Sequence, residues 1–251
     1  MSTQVYTPPT SLAHRIGRRV TPLLAQRRVA VSLDRPIVSF TFDDAPTSVL
    51  ETALPMLEAQ GWSATIYIAT GLIGTTNHHG EMMDGAKIAD VHARGHEIGA
   101  HSHEHRNQAL HSDADVMRSV EESHRVLAGL GVPDPASYAW PYGQSRPALK
   151  RALAERYTSL RGIAQRTHRR AVDLNQVGSW KLFTGRGVDR VMDELDRLET
   201  RSGWMTLFTH DVRDNCSEWG CTPAEFERVV ARVADMGVDV LPVARAVERL
   251  A

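Results

Sequence analysis

The chain has 251 residues, 42% of them apolar and 24% charged, with a formal net charge of −1 at pH 7. That length suits one sizeable α/β domain rather than two, and the near-neutral balance excludes a general attraction to nucleic acid. The two cysteines, Cys216 and Cys221, are too few for a disulfide framework, and no apolar run approaches the roughly 18 residues of a membrane span.

Residues 1–30 are basic, with Arg15, Arg18, Arg19, Arg27 and Arg28 and no acidic residue. Leu12, Ile16, Val20, Leu23 and Leu24 recur at helical spacing, which predicts an amphipathic helix bent or begun at Pro22. Its plain reading is a helix packed on the main domain with a solvated basic face. Its sharper reading is peripheral contact with an anionic membrane. Arginines interrupt every apolar run between Ser11 and Ala30, so no secretory leader is read. The expected location is therefore the cytoplasm, including the inner face of the membrane, where the two thiols stay reduced.

From Pro36 onward, strand-like and helix-like segments alternate. Strands are predicted over 36–42, 64–69, 95–100, near Tyr138, and over 157–163, 205–209 and 238–241. Helices are predicted over 47–60 (stopped by Gly61), 84–94, 113–129, 188–201 and 223–236. This alternation predicts an α/β fold, either a mainly parallel sheet or a (β/α) barrel with helices outside.

Two strings carry chemistry. Ser39-Phe-Thr-Phe-Asp-Asp44 delivers two adjacent carboxylates at the end of an apolar strand, where parallel α/β folds place their sites. The bland alternative is that one of them caps the next helix. Gly95-His-Glu-Ile-Gly-Ala-His-Ser-His-Glu-His105 sets His101 and His105 four apart, so in a helical turn they share a face and can grip one metal ion. His96 and His103 complicate the count. Trp62, Trp204 and Phe208 read as core. His78 and His79, in a loop by composition, read as solvated or rim residues.

Thr41-Phe-Asp-Asp44 with His101-Ser-x-x-His105 resembles the first two motifs of the polysaccharide deacetylases of carbohydrate esterase family 4. Trp140-Pro-Tyr-Gly143 resembles the third motif, and Thr206-Leu-Phe-Thr-His210 the last. The style is that of bacterial exopolysaccharide and holdfast-type N-acetylglucosamine deacetylases. The resemblance implies a distorted (β/α) barrel over residues 31–251, preceded by the basic arm of residues 1–30. It implies a divalent ion on Asp44, His101 and His105, zinc before cobalt, nickel or manganese. By the same resemblance Asp43 is the general base, His210 the general acid, and the Tyr142 backbone N–H the oxyanion donor. Trp140, Pro141 and Tyr142 are then the substrate-contacting candidates.

Two departures stand out. Ala139 and Trp140 precede Pro141 where the family often carries an arginine that orients the base, so either another cation, such as a neighbouring Arg or Lys, does the orienting or Asp43 is tuned differently. The fourth motif is unclear; Asp173 and Trp180 are its candidates, Asp173 as the carboxylate that tunes the acid histidine. The implied reaction is removal of N-acetyl groups from N-acetylhexosamine units of a polysaccharide, oligosaccharide or lipid-linked precursor. Such a reaction belongs to exopolysaccharide biosynthesis, where exposed amines make a glycan adhesive. Two alternatives are hydrolysis of a small non-sugar amide or cyclic imide, and a non-catalytic glycan-binding protein.

Overall fold

The computed structural model describes residues 20–250. The helix expected over Leu12–Leu24 thus lies mostly outside the described residues, and its described end is a single 3-10 turn, Thr21–Leu23.

At the centre runs β2 (Ile37–Asp43), all seven of whose residues are buried. A strand covered on both faces belongs to a parallel sheet flanked by helices. Its neighbours are β3 (Thr65–Ile68) on one side and β11 (Trp204–Thr209) on the other. The sheet continues through β6 (Glu97–Ala100), β7 (Ser137–Ala139) and β8 (Ser159–Arg161), and at the other edge ends in β10 (Trp180–Lys181). All these pairings are parallel, and β12 (Asp239–Val240) adds to the first residues of β2.

Between β8 and β10 irregular chain completes the curl: Leu160 N donates to Leu174 O at 2.7 Å and Gly162 N to Val177 O at 2.8 Å. The result is a distorted barrel with fewer than eight complete units. Outside the sheet, β1 (Arg28–Ala30) pairs antiparallel with β9 (Ala171–Asp173). A small hairpin joins β4 (Thr76–Asn77) to β5 (Gly80–Glu81), with His78 and His79 at its tip. Gly80, at φ 101°, takes the left-handed conformation that closes the turn.

The helices follow their sequence signals. Ser112 caps Asp113–Gly129 by accepting from Asp115 N, with Asp113 and Asp115 in the first turn. Thr222 and Glu225 form a capping box at the start of Pro223–Met236, and left-handed Gly237 ends it. The segment expected as a helix over 47–60 is less regular. It opens with a π-helical turn at Val49–Ala53 before the α-helix Leu54–Glu58. The short helices Pro147–Ala154 and Val243–Glu248, and strands β1, β9 and β10, were not expected from periodicity; most are too short to show one.

Trp204 and Phe208 are buried in the core and Trp62 packs against it, stacked on Phe40. Cys216 and Cys221 are free thiols. Among the described residues, no helix is long and apolar enough to cross a membrane.

Candidate active site

The carboxyl ends of β2, β6, β7, β8 and β11 deliver Asp43, His101, Trp140, Arg161 and His210 to one rim of the barrel. The backbone there is unusual. Of the six described non-glycine residues at positive φ, four belong to the motifs, Asp44, Ser102, His105 and Tyr142, and Ala45 directly follows the first. Each left-handed residue costs on the order of 1 kcal/mol, and such strain concentrates where side chains must be aimed.

One correction follows. His101 and His105 do not share a helical turn: β6 ends at Ala100 and the chain beyond it is loop. Left-handed Ser102 and His105, at φ 64° and 49°, bring the two rings together instead. Their Nε2 atoms are 3.2 Å apart, and lie 3.8 Å (His101) and 3.4 Å (His105) from Asp44 Oδ1. His101 Nδ1 donates to Ala139 O at 2.7 Å, so in the neutral ring its Nε2 is a bare lone pair. His105 Nδ1 meets Tyr142 Oη at 3.2 Å. Asp44 Oδ1 is buried with no hydrogen-bond partner. A bare imidazole nitrogen and an orphaned carboxylate oxygen this close repel one another unless a cation lies between them.

The spacing fits such a cation, since ligand bonds of about 2.0–2.1 Å in a tetrahedral site put neighbouring donor atoms about 3.3 Å apart. Burial presses His101 down to about 4, which keeps it neutral at pH 7. Burial alone would raise Asp44; His105 and then His101 outweigh it and hold the carboxyl well below the usual range. The other two histidines of the string have structural partners. His103 Nδ1 pairs with Thr70 Oγ1 at 2.9 Å, and His96 bridges Ala64 N and Glu58.

Asp43 is gripped by Arg161 from β8, whose Nη2 lies 2.6 Å from both carboxylate oxygens. This buried guanidinium stands over the Tyr67 and Phe208 rings, 5.1 and 4.8 Å from their centroids. It is the cation that the third motif lacks. Its only sequence signal is an arginine inside the short strand expected over 157–163. Burial would push the Asp43 carboxyl up, but Arg161, followed by His101, holds it below its ordinary value.

At the opposite wall, His210 follows β11. Its Nδ1 lies 3.2 Å from Trp219 O, and burial, with His79 next to it, lowers its pKa to about 4. The expected carboxylate is not there. Asp173 Oδ1 accepts from Arg27 N at 2.8 Å and Asn175 N at 3.0 Å, at the β1–β9 pair. Asp173 sits at that distant edge because β9 belongs to the separate two-stranded ribbon. Asp211 turns away from its neighbour His210, as strand alternation suggests, and binds Ser217 and Arg213.

Two further expectations need correcting. Trp140 is fully buried among Ala100, Tyr138 and Leu149, with Nε1 donating to Asn175 O at 3.4 Å, so it does not face a substrate. Pro141 is buried too, which leaves Tyr142 as the member of that motif beside His105. His79 is no rim residue: only 3% exposed, it stacks on His210 with centroids 4.4 Å apart. His78 is exposed and packs against half-buried Trp219.

The polysaccharide deacetylase family model matches residues 30–158. The chain is 26% identical over 129 residues to poly-beta-1,6-N-acetyl-D-glucosamine N-deacetylase of Staphylococcus aureus. That match covers 46% of this chain and 44% of the relative, so it spans less than half of that protein's length. Among solved structures, the chitin deacetylase of Colletotrichum lindemuthianum superposes with a TM-score of 0.62 at 16% identity, covering 86% of this chain and 89% of that one. The Xyl-CE4 domain of a xylanase from the Trinervitermes trinervoides hindgut metagenome gives 0.59 at 18% identity, covering 86% and 91%. At these identities the two likenesses establish a shared fold.

Proposed function

The chain belongs to the polysaccharide deacetylase family, and from that premise we propose that it hydrolyses N-acetyl groups on N-acetylhexosamine units of a glycan. The observation that carries this reading is the convergence of Asp44, His101 and His105 beside a base clamped by Arg161.

A divalent ion bound there supplies Lewis acidity, polarising an acetyl carbonyl and acidifying a water. Asp43 accepts the water's proton, and the charged Arg161 Nη2, donating to both of its oxygens, keeps the carboxylate ionised and aimed. The backbone N–H of Tyr142, at the turn after β7, is the donor for the charge that develops on the carbonyl oxygen. His210 returns a proton to the departing nitrogen, without which an amine is a poor leaving group. Zinc suits two imidazoles and a carboxylate, with cobalt, nickel and manganese as substitutes.

Exopolysaccharide is the proposed substrate class, and the name of the staphylococcal relatives makes β-1,6-linked N-acetylglucosamine oligomers the first to assay. Each turnover exposes an amine that is cationic below its pKa, which would make a neutral glycan adhesive toward anionic surfaces. The test is acetate release from such oligomers by zinc-reconstituted protein, with Asp43→Asn and His105→Ala alongside. Release that depends on zinc and is abolished in both variants supports the reading. No release with zinc bound stoichiometrically removes the glycan and points to a small amide.

A further inference from the structure

The hairpin between β3 and β6 places an imidazole in the active site that the proposed chemistry does not use. His79 comes from the hairpin tip, where a histidine is ordinarily solvated, yet it is buried. Asn77 Oδ1 accepts from its backbone N–H at 2.7 Å and so sets the turn. Its Nδ1 lies 3.0 Å from Ser217 Oγ and 3.3 Å from Asp211 Oδ1. The Ser217 hydroxyl donates to Asp211 Oδ1 at 2.5 Å, so its oxygen can only accept from His79. Nδ1 of His79 therefore carries a proton, while its Nε2 lies 3.9 Å from Asp44 Oδ2. Asp211 is itself held by Ser217 N at 2.8 Å and Arg213 Nε at 2.9 Å.

Among the described residues, His210 Nδ1 meets the backbone carbonyl of Trp219 and no carboxylate. What it has is the face of His79, stacked within 13° of parallel. Asp44, His79 and His210 do bring donor atoms within 4.8 Å of one another, which raises a second metal site. The stacking argues against it. Imidazole lone pairs lie in the ring plane, so two nearly parallel, face-to-face rings cannot both aim at one ion. The same stacking does hold the His210 ring by its face, with His79 itself fixed by Ser217 and Asp211.

We propose that His79, held by Asp211 and Ser217, is the positioning residue of His210, and takes the place of the carboxylate that this acid lacks. The inference rests on His210 being the acid of the proposed hydrolysis. In the step concerned, the C–N bond breaks, its electron pair stays on nitrogen, and nitrogen takes the proton of the His210 imidazolium. The proton that Asp43 took from the water returns to His210 through solvent, so that one amide and one water become one amine and one acetic acid. His79 keeps the His210 ring oriented by stacking on its face.

The test compares an amide with an ester, because a phenolate leaves without a proton. Zinc-loaded protein is assayed on N-acetylglucosamine trimer and on 4-methylumbelliferyl acetate, with zinc affinity measured by calorimetry. His79→Ala and Asp211→Asn are expected to slow the amide about 10- to 100-fold, the range for partners that orient another group. The ester should suffer at least about ten times less, as for His210→Ala, because the acid contributes only where the leaving group needs a proton. Zinc affinity should hold, which also reports that the variants fold. Equal losses on both substrates, no loss on the amide, or weakened zinc binding would each overturn the proposal.

A second measurement needs no turnover. Long-range proton–nitrogen NMR of imidazole-labelled, zinc-loaded protein should show His79 protonated at Nδ1, and Asp211→Asn should move the ring signals of both His79 and His210. His210 signals that stay in place would sink the inference. Should the wild type fail on the trimer, the functional reading falls and the NMR experiment alone decides this one.

Discussion

The metal end of the site and its acid end are built from different lengths of chain. At the metal end, three donor groups come from two short segments, Asp44 just beyond β2 and the five residues His101–His105 beyond β6. At the acid end, His210 follows β11, Trp219 and Ser217 come from the loop after it, and His79 arrives from a hairpin 131 positions earlier, the difference between 210 and 79. A metal needs donors at one distance from one point, which a few residues of strained backbone can supply. An acid needs a desolvated ring with a set tautomer, which only surrounding walls can supply. The comparison suggests that the metal end tolerates little change in residue type, while the acid end depends on its packing.

The largest effect is expected at the metal end. Asp44→Asn should abolish stoichiometric zinc binding and lower acetate release on the order of 10³-fold or more, as should a chelator. Metal analysis of the purified variant checks it, and a variant that still holds one zinc would show that another ligand set serves.

Arg161→Met comes next, because it touches both base and core. It leaves the Asp43 carboxylate buried without its cation, a change worth about 3–5 kcal/mol, to be read from urea melts. Burial raises the Asp43 pKa and Arg161 outweighs it. Without Arg161 the pKa should rise, so the acid limb of kcat/KM should move to higher pH. An unmoved acid limb would remove Asp43 from the role of base.

Two tryptophans sharpen the contrast between core and cleft. Trp140→Ala should cost about 3–5 kcal/mol of stability, as large-to-small changes in a buried cluster do. Trp219→Ala, at a half-buried ring beside His78 and His79, should cost under about 1 kcal/mol and act mainly on KM for oligomers. Thermal melts and steady-state kinetics separate the two; a raised KM in Trp140→Ala without loss of stability would reverse the assignment.

The smallest effect concerns acid stability away from the centre. Burial, with Arg166 nearby, holds His168 down to about 4, and its Nε2 accepts from Gly178 N at 2.9 Å. A proton there would break that hydrogen bond. The unfolded chain takes up this proton near pH 6.5 and the folded chain only near 4, so stability is lost as pH falls through that window. His168→Gln should flatten the slope of melting temperature between pH 6.5 and 4; an unchanged slope would assign the acid sensitivity to other groups.

The sequence by itself determined the alternating α/β order, the capped helices Asp113–Gly129 and Pro223–Met236, and the family motifs at the ends of β2, β6 and β11. These depend on periodicity and on neighbours a few residues apart, and both are written along the chain. It also determined which residue types stand at the metal end. Only the tertiary structure decided that Arg161 orients Asp43, that Trp140 faces inward, that Asp173 serves a distant ribbon, and that a hairpin histidine lies against His210. The motif string around His101 read as a helical turn because four-residue spacing looks the same in a helix and in a loop bent by two left-handed residues. Arg161 and Asp43 are 118 positions apart, and no local pattern marks a pair at that distance. Such contacts arise when parallel strands lay their ends side by side, and the register of the sheet selects which side chains meet there.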